Sequence, residues 1–223
     1  MQPGKPLIDF AWIVDHLDDI LEAILQHLQL TIIPLVLGFI LSLVLAIWAV
    51  RQPRVYGPIT AITGILYTIP SLAAFAVLRP ITGLSLVTAV IPLTTYTLLI
   101  LVRNIVAGFN AVPADVLEAA EGMGYTRRQR LVRVELPLAI PLMLAGLRLA
   151  SVTTIGLATV VSVLGNSFGG LGQLITEGLQ TFFPTKYLLG AVLSVVLAFA
   201  ADFLFVRFER LVTPWAHARA GVR

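Results

Sequence analysis

An all-α, polytopic membrane protein with five transmembrane helices is the fold class this sequence predicts, on three observations. Of its 223 residues 58% are hydrophobic and 12% charged, with a mean hydropathy of +0.94. A soluble domain carries about 25% charged residues, so the polar shell needed to face water is missing. The apolar residues fall into five runs long enough to cross a bilayer, and the basic residues collect in alternate connections between them.

Residues 1–27 are mixed and acidic, with Asp9, Asp15, Asp18, Asp19 and Glu22 against Lys5. No basic leader or small-residue cleavage site marks them as a signal peptide. Trp12, Ile13, Leu17, Ile20, Leu21, Ile24 and Leu28 recur every three or four residues, which predicts an external amphipathic helix on the membrane surface. The first span is residues 28–50, about 35 Å as a helix against a hydrocarbon core of about 30 Å. Arg51-Gln-Pro-Arg54 ends it. Spans two and three are residues 55–78 and 81–102, with Arg79-Pro80 as the tight turn between them. Pro34, Pro70 and Pro92 lie inside these runs and are tolerated in membrane helices, where neighbours re-satisfy the freed backbone groups. A polar segment follows, then a fourth span (137–164), a glycine-rich outer loop (165–186), a fifth span (187–206) and a short basic tail. The whole chain, 1–223, reads as one transmembrane domain without internal repeats.

Five spans put the termini on opposite sides, and the basic residues choose the orientation. Arg51, Arg54, Arg103, Arg127, Arg128, Arg130, Arg133, Arg207, Arg210, Arg219 and Arg223 fall on one side, and Lys5, Arg79 and Lys186 on the other. Arg148 lies within a span, which accounts for all fifteen. Eleven against three places the N-terminus outside, the C-terminus in the cytoplasm and residues 113–136 in a cytoplasmic loop between spans three and four. The four arginines of that loop are expected at the anionic inner leaflet, each contributing about 1 kcal/mol.

Within the loop, Pro113 suits a first helical turn and Gly124 a left-handed helix stop. Thr126 and Gln129 have the spacing of a capping box, so a second short helix opens there. Ala120 and Gly124 share a face of the first helix, and two small residues there allow a partner to come close. Glu118-Ala119-Ala120 is followed after three residues by Gly124, after nine more by Val134, and then by Leu136-Pro137.

That spacing resembles the EAA loop of permease subunits of ATP-binding-cassette (ABC) importers. The resemblance implies that Glu118, Ala119, Ala120 and Gly124 dock into a cleft on a separate ATPase subunit. It also implies that Val134, Leu136 and Pro137 carry the movement into the fourth span. ATP and magnesium would sit on that partner; this chain has no G-x-x-x-x-G-K-[ST] loop, so it is read as a non-catalytic subunit without a cofactor of its own. Other implied partners are a second permease subunit, identical or related, and an external or periplasmic substrate-binding protein. The lipid bilayer of the cell (inner or plasma) membrane surrounds them. No nucleic-acid motif occurs, and no histidine pair has metal-ligand spacing.

The run Ser162-Val-Leu-Gly-Asn-Ser-Phe-Gly-Gly-Leu-Gly-Gln-Leu-Ile175, with Val102-Arg-Asn-Ile and the fourth span, is similar to the subgroup handling osmoprotectants: glycine betaine, carnitine, choline and related quaternary amines. The likeness runs from about Leu28 to Arg210, and Asn-Ser-Phe before the glycines departs from the pattern. Quaternary ammonium groups are usually held in aromatic cages, but Tyr56, Tyr67, Phe75, Tyr96 and Phe168 are too scattered to propose one. In the family a binding protein supplies most of the selectivity. A methionine or other small-solute permease is the nearest alternative. An ion-gradient carrier or a membrane scaffold is the alternative from another class. No acidic residue near mid-span supports a carrier, and a scaffold has no need of the EAA spacing.

Arg148 and Asp202 are the ionisable residues inside predicted spans. A structural salt bridge between them is the first expectation, and a part in the substrate path the second. The fourth span is crowded with small residues from Ala145 to Thr159, read as close helix packing.

Overall fold

A computed structural model describes residues 7–161 and 168–215. Its helices are α1 (Phe10–Asp15), α2 (Leu17–Arg51), α3 (Pro53–Thr68), α4 (Ser71–Thr82), α5 (Leu86–Asn110), α6 (Ala114–Gly122), α7 (Arg127–Arg130), α8 (Leu136–Val161), α9 (Leu171–Gln180) and α10 (Pro184–Val212). A wide π-helical turn, Leu131–Glu135, joins α7 to α8. No strand occurs among the described residues. α2, α5, α8 with its preceding turns, and α10 are each long and apolar enough to cross a membrane. The bent pair α3–α4 makes a fifth candidate span.

The centre is a three-helix packing of α2, α5 and α8. Leu35, Ala46, Leu101, Ile105, Phe109, Ala139, Met143 and Ala150 form its larger buried cluster, and Leu30, Phe75, Leu93, Ala158 and Phe168 a second one. Membrane helices gain little from burying leucine, since lipid is equally apolar, so close backbone approach must hold them. Gly38 and Gly108 show that approach. A Cβ on Gly108 would stand 2.8 Å from the Ala139 carbonyl oxygen, and one on Gly38 would overlap the Thr97 hydroxyl. In α8 the small residues Ala139, Gly146, Ala150, Ser151, Thr154 and Ala158 are buried, as the packing reading expected, while Gly156 faces open space. Several hydroxyls here bond their own helix: Thr154 Oγ1 donates to Ala150 O at 2.7 Å and Thr31 Oγ1 to His27 O at 2.9 Å, whereas the buried Ser42 and Thr94 hydroxyls have no such partner.

Several expected boundaries move. From Leu17 on, the expected amphipathic segment and the first span are one continuous helix, α2, of 35 residues and about 52 Å, with Trp12 and Ile13 in the separate α1. In the first turns of α2, Ala23 packs on Leu171 and Leu174 of α9. Pro70 does not sit quietly inside span two. It pushes Ile69 into an extended conformation (φ −63°, ψ 127°), and α3 and α4 meet at 88°. A break at membrane depth frees carbonyls, and the Tyr96 hydroxyl donates to that of Ile69. Arg79 and Pro80 lie within α4, and the turn comes later, at Gly83 (φ +70°). Span three runs on to Asn110, and the fourth-span helix starts at Leu136. The outer loop contains α9, whose Leu171, Leu174, Ile175 and Gly178 repeat at helical spacing beneath the glycines that masked it. α10 spans Pro184–Val212, longer at both ends than residues 187–206. Ser162 to Ser167, including the first two residues of the Asn-Ser-Phe insertion, and the tail arginines 219 and 223 lie outside the described residues.

Candidate functional site

The polar segment between α5 and α8 is built from local signals. Pro113 has no amide hydrogen to leave unbonded and sits in extended conformation (φ −62°, ψ 142°) at the N-terminus of α6. Asp115 in the first turn complements the helix dipole. At the other end Gly124 takes φ +78°. Its N–H donates to Glu121 O at 2.9 Å, and the Tyr125 N–H to Ala120 O at 3.1 Å. That pair of bonds is a Schellman stop, which requires a left-handed residue at the Gly124 position. Thr126 then opens α7 with both halves of a capping box: Gln129 N–H to Thr126 Oγ1 at 3.3 Å and Thr126 N–H to Gln129 Oε1 at 2.9 Å.

α7 lasts one turn before the helix widens. Leu136 N–H donates to Leu131 O, five residues back, which defines the π-turn. Leu131 and Leu136 pack on the larger buried cluster, so this widened turn is where the polar finger enters the membrane core. Val134 and Pro137 line a shallow groove with Arg133, Leu138 and Trp215. The expected joint at Leu136-Pro137 is thus part of an unbroken helix carrying one oversized turn.

The expected docking residues divide. Glu118, Ala119 and Gly124 are exposed, and a side chain on Gly124 would meet nothing within 4 Å. Ala120 is 1% exposed. Its small side chain lets α6 lie close to this chain's own atoms, so it does not share an open face with Gly124 for a partner. The arginines divide as well. Arg127, Arg128 and Arg133 are exposed, whereas Arg130 is drawn into the chain. It pairs with Glu121 of α6 through Nη1 and with Glu135 of the π-turn through Nε, the latter at 2.7 Å. A leaflet role for Arg130 is therefore replaced by an internal one. Residue spacing did not signal the Glu121 half of this, because Glu121 approaches Arg130 only after the Gly124 turn folds α6 back, whereas Glu135 lies five residues on and reaches Arg130 across the π-turn.

Arg148 of α8 and Asp202 of α10 meet as a two-pronged pair. Arg148 Nη2 donates to Asp202 Oδ2 at 2.9 Å, and Nε donates to Oδ1. Their side chains are 44% and 34% exposed, so the pair lies at the rim of the helix packing.

At the opposite end of the molecule α1, the start of α2, α9 and the start of α10 form a polar cap that the sequence reading did not contain. Asp9 N–H donates to Thr185 Oγ1 at 2.9 Å, Trp12 stacks on His16, and the Lys186 ammonium lies 5.5 Å over the Trp12 ring. The amide of Gly170 (φ +81°) donates to Gln26 Oε1 at 2.9 Å, and His27 Nε2 contacts Ile155 O at 3.2 Å, tying the glycine turn to α2 and α8. A cleft of about 290 Å³ opens there, lined by Trp12, Glu22, Gln26, Gln173 and Glu177 among others. Of the scattered aromatics, Tyr67 and Tyr96 meet edge to face at 5.9 Å, and Phe75 and Phe168 share one buried cluster.

Glu177 clamps α9 to α10, accepting from Gln173 Nε2 at 2.6 Å and Lys186 Nζ at 3.0 Å. Burial pushes its carboxyl upward, but the hydrogen bonds from Gln173 and Lys186, with the lysine charge, outweigh it and leave the group below its ordinary value of 4.5. A depressed carboxylate stabilises the fold above the ordinary value and loses that contribution as pH falls through the lowered one. Wild type is therefore expected to melt above Glu177→Gln at neutral pH, the gap closing only below pH 4.5. A gap that instead widened in acid would refute the clamp.

Residues 16–214 match the family model described as binding-protein-dependent transport system inner membrane component. The chain is 36% identical over 189 residues to the glycine betaine/carnitine/choline transport system permease protein OpuCB of Bacillus subtilis, covering 85% of this chain and 86% of the relative. It is 31% identical over 208 residues to the osmoprotectant import permease protein OsmW of Salmonella typhimurium, covering 91% and 96%. Among solved structures it is similar in fold to a chain of the inward-facing MetNI methionine ABC transporter, with a TM-score of 0.79 at 24% identity, over 89% of this chain and 98% of that one.

Proposed function

The chain belongs to the family of binding-protein-dependent transport system inner membrane components, multi-pass membrane permeases of ABC transporters, and from that premise we propose that it imports osmoprotectants of the quaternary-amine class. The observation that carries the coupling part is the α6–α7 finger: a Glu118-Ala119-Ala120 helix stopped at Gly124 (φ +78°) and joined to a core-packed turn at the base of α8. The cargo follows from relatives named for glycine betaine, carnitine, choline and osmoprotectant transport.

In this reading the N-terminus is outside and the finger is cytoplasmic, on the side of Arg51, Arg54, Arg103, Arg207 and Arg210. Glu118, Ala119 and Gly124 dock in a cleft of a separate ATPase subunit, which carries ATP and magnesium. When two ATPases close, their docked fingers move together. Val134, Leu136 and Pro137 pass that motion into α8, and the path between two permease subunits alternates its opening. The binding protein docks on the outer cap of α1, α9 and the start of α10.

Proteoliposomes holding the chain with its ATPase and binding protein test this. Uptake of labelled glycine betaine or choline is expected to require internal ATP and to be competed by carnitine but not by methionine. Competition by methionine alone would move the cargo assignment to an amino acid. Uptake driven by an ion gradient without ATP would overturn the importer reading.

A further inference from the structure

We infer that Arg130 is a positioning residue that makes the finger and the base of α8 one lever, by holding Glu121 of α6 and Glu135 of the π-turn at once. The inference rests on the finger being the ATPase-coupling element. A docked helix transmits force only if its link to the membrane helix resists bending, and the covalent link here is weak. Between α6 and α8 lie the Gly124 turn, a single turn of α7 and a five-residue π-turn. Turns of that kind are where helices bend.

Arg130 bridges all three. Glu135 is 8% exposed and accepts from Arg130 Nε at 2.7 Å, so the arginine is anchored on the side facing the membrane core. Nη1 of the same guanidinium holds Glu121, nine residues earlier and on the far side of the Gly124 turn. A planar guanidinium can grip two carboxylates in fixed directions, which a lysine cannot. The Glu121 carboxylate is exposed, and an exposed pair adds little to stability. Its contribution is to the angle between α6 and α8 more than to folding. Glu121 is thereby held by Arg130, whereas Glu118 stays exposed for the partner.

The test uses Glu121→Gln, which removes one grip and leaves the buried pair intact, beside Arg130→Lys and Arg130→Gln. The chain has no cysteine, so Asp115→Cys in α6 and Leu142→Cys in α8, both exposed, take spin labels without background. Pulsed electron–electron distances on the full chain in nanodiscs are expected to be narrow in the parent and broad in all three variants. In the reconstituted transporter, cargo moved per ATP hydrolysed is expected to fall about tenfold in each variant, with the ATPase still bound. A merely structural role would lower uptake and hydrolysis together and keep their ratio, which overturns the inference. So does broadening with an unchanged ratio, or a distribution that stays narrow in Glu121→Gln. A parent chain that captures no ATPase would instead sink the importer reading, and the inference with it.

Discussion

Gly124→Trp is expected to abolish co-purification of the ATPase subunit, while Gly124→Asn retains it. The glycine does two separable things. At φ +78° it lets the chain make the Schellman stop, and a β-carbon there costs about 1–2 kcal/mol, least for asparagine. It also leaves the finger's tip bare, with nothing within 4 Å of where a side chain would begin. Asparagine strains the backbone little and adds a small polar group. Tryptophan adds strain and an indole at the centre of the proposed docking surface, and disrupting such a centre costs about 2–4 kcal/mol or more of binding. Loss with tryptophan and retention with asparagine assigns the tip to docking. Loss with both assigns only the backbone stop. An ATPase held by the tryptophan variant removes Glu118, Ala119 and Gly124 from the docking surface.

The second large effect is expected at Arg148 and Asp202. Removing one partner leaves an unpaired charge at the rim of the α8–α10 contact; the cost on insertion scales is about 2.5–3.5 kcal/mol at the centre of a membrane helix, which is the upper bound for this part-exposed position. Asp202→Leu and Arg148→Leu should each lower the folded fraction in mild detergent markedly. The double replacement should recover most of it, because the α8–α10 contact is then uniformly apolar. The two-pronged geometry predicts this non-additivity, which a double-mutant cycle read by thermal unfolding would measure. If the double variant regains stability but not uptake, the pair has a role in transport beyond packing. Additive losses would mean that the two residues act independently and that the pairing has no energetic weight.

Much of the finger was legible because its signals are local. Gly124, Thr126 and Gln129 act through bonds to residues three to five positions away, so spacing alone predicts the stop and the capping box. The reach of the helices was less legible. Pro70 breaks its span whereas Pro34 and Pro92 do not. At the Pro70 break the Tyr96 hydroxyl, from another helix, donates to the Ile69 carbonyl. α9 was hidden because its first three residues are glycine or flank one, although its Leu171, Leu174 and Gly178 keep helical spacing.

By itself the sequence determined the membrane class, the approximate number of crossings, and a polar finger with its own start and stop signals. These follow from composition, run length and short-range bonding, which depend on neighbours along the chain. Tertiary structure alone decided that Ala120 faces inward, that Arg130 ties Glu121 to Glu135, that Arg148 meets Asp202, and that the first turns of α2 join α9 in a polar cap at the end opposite the finger. Apart from the Arg130–Glu135 bond, which spans five residues along one helix, each of these depends on residues brought together by folding, across the Gly124 turn or between separate helices. Their distance in space is set by packing, and the order of residues along the chain does not encode it in any local pattern.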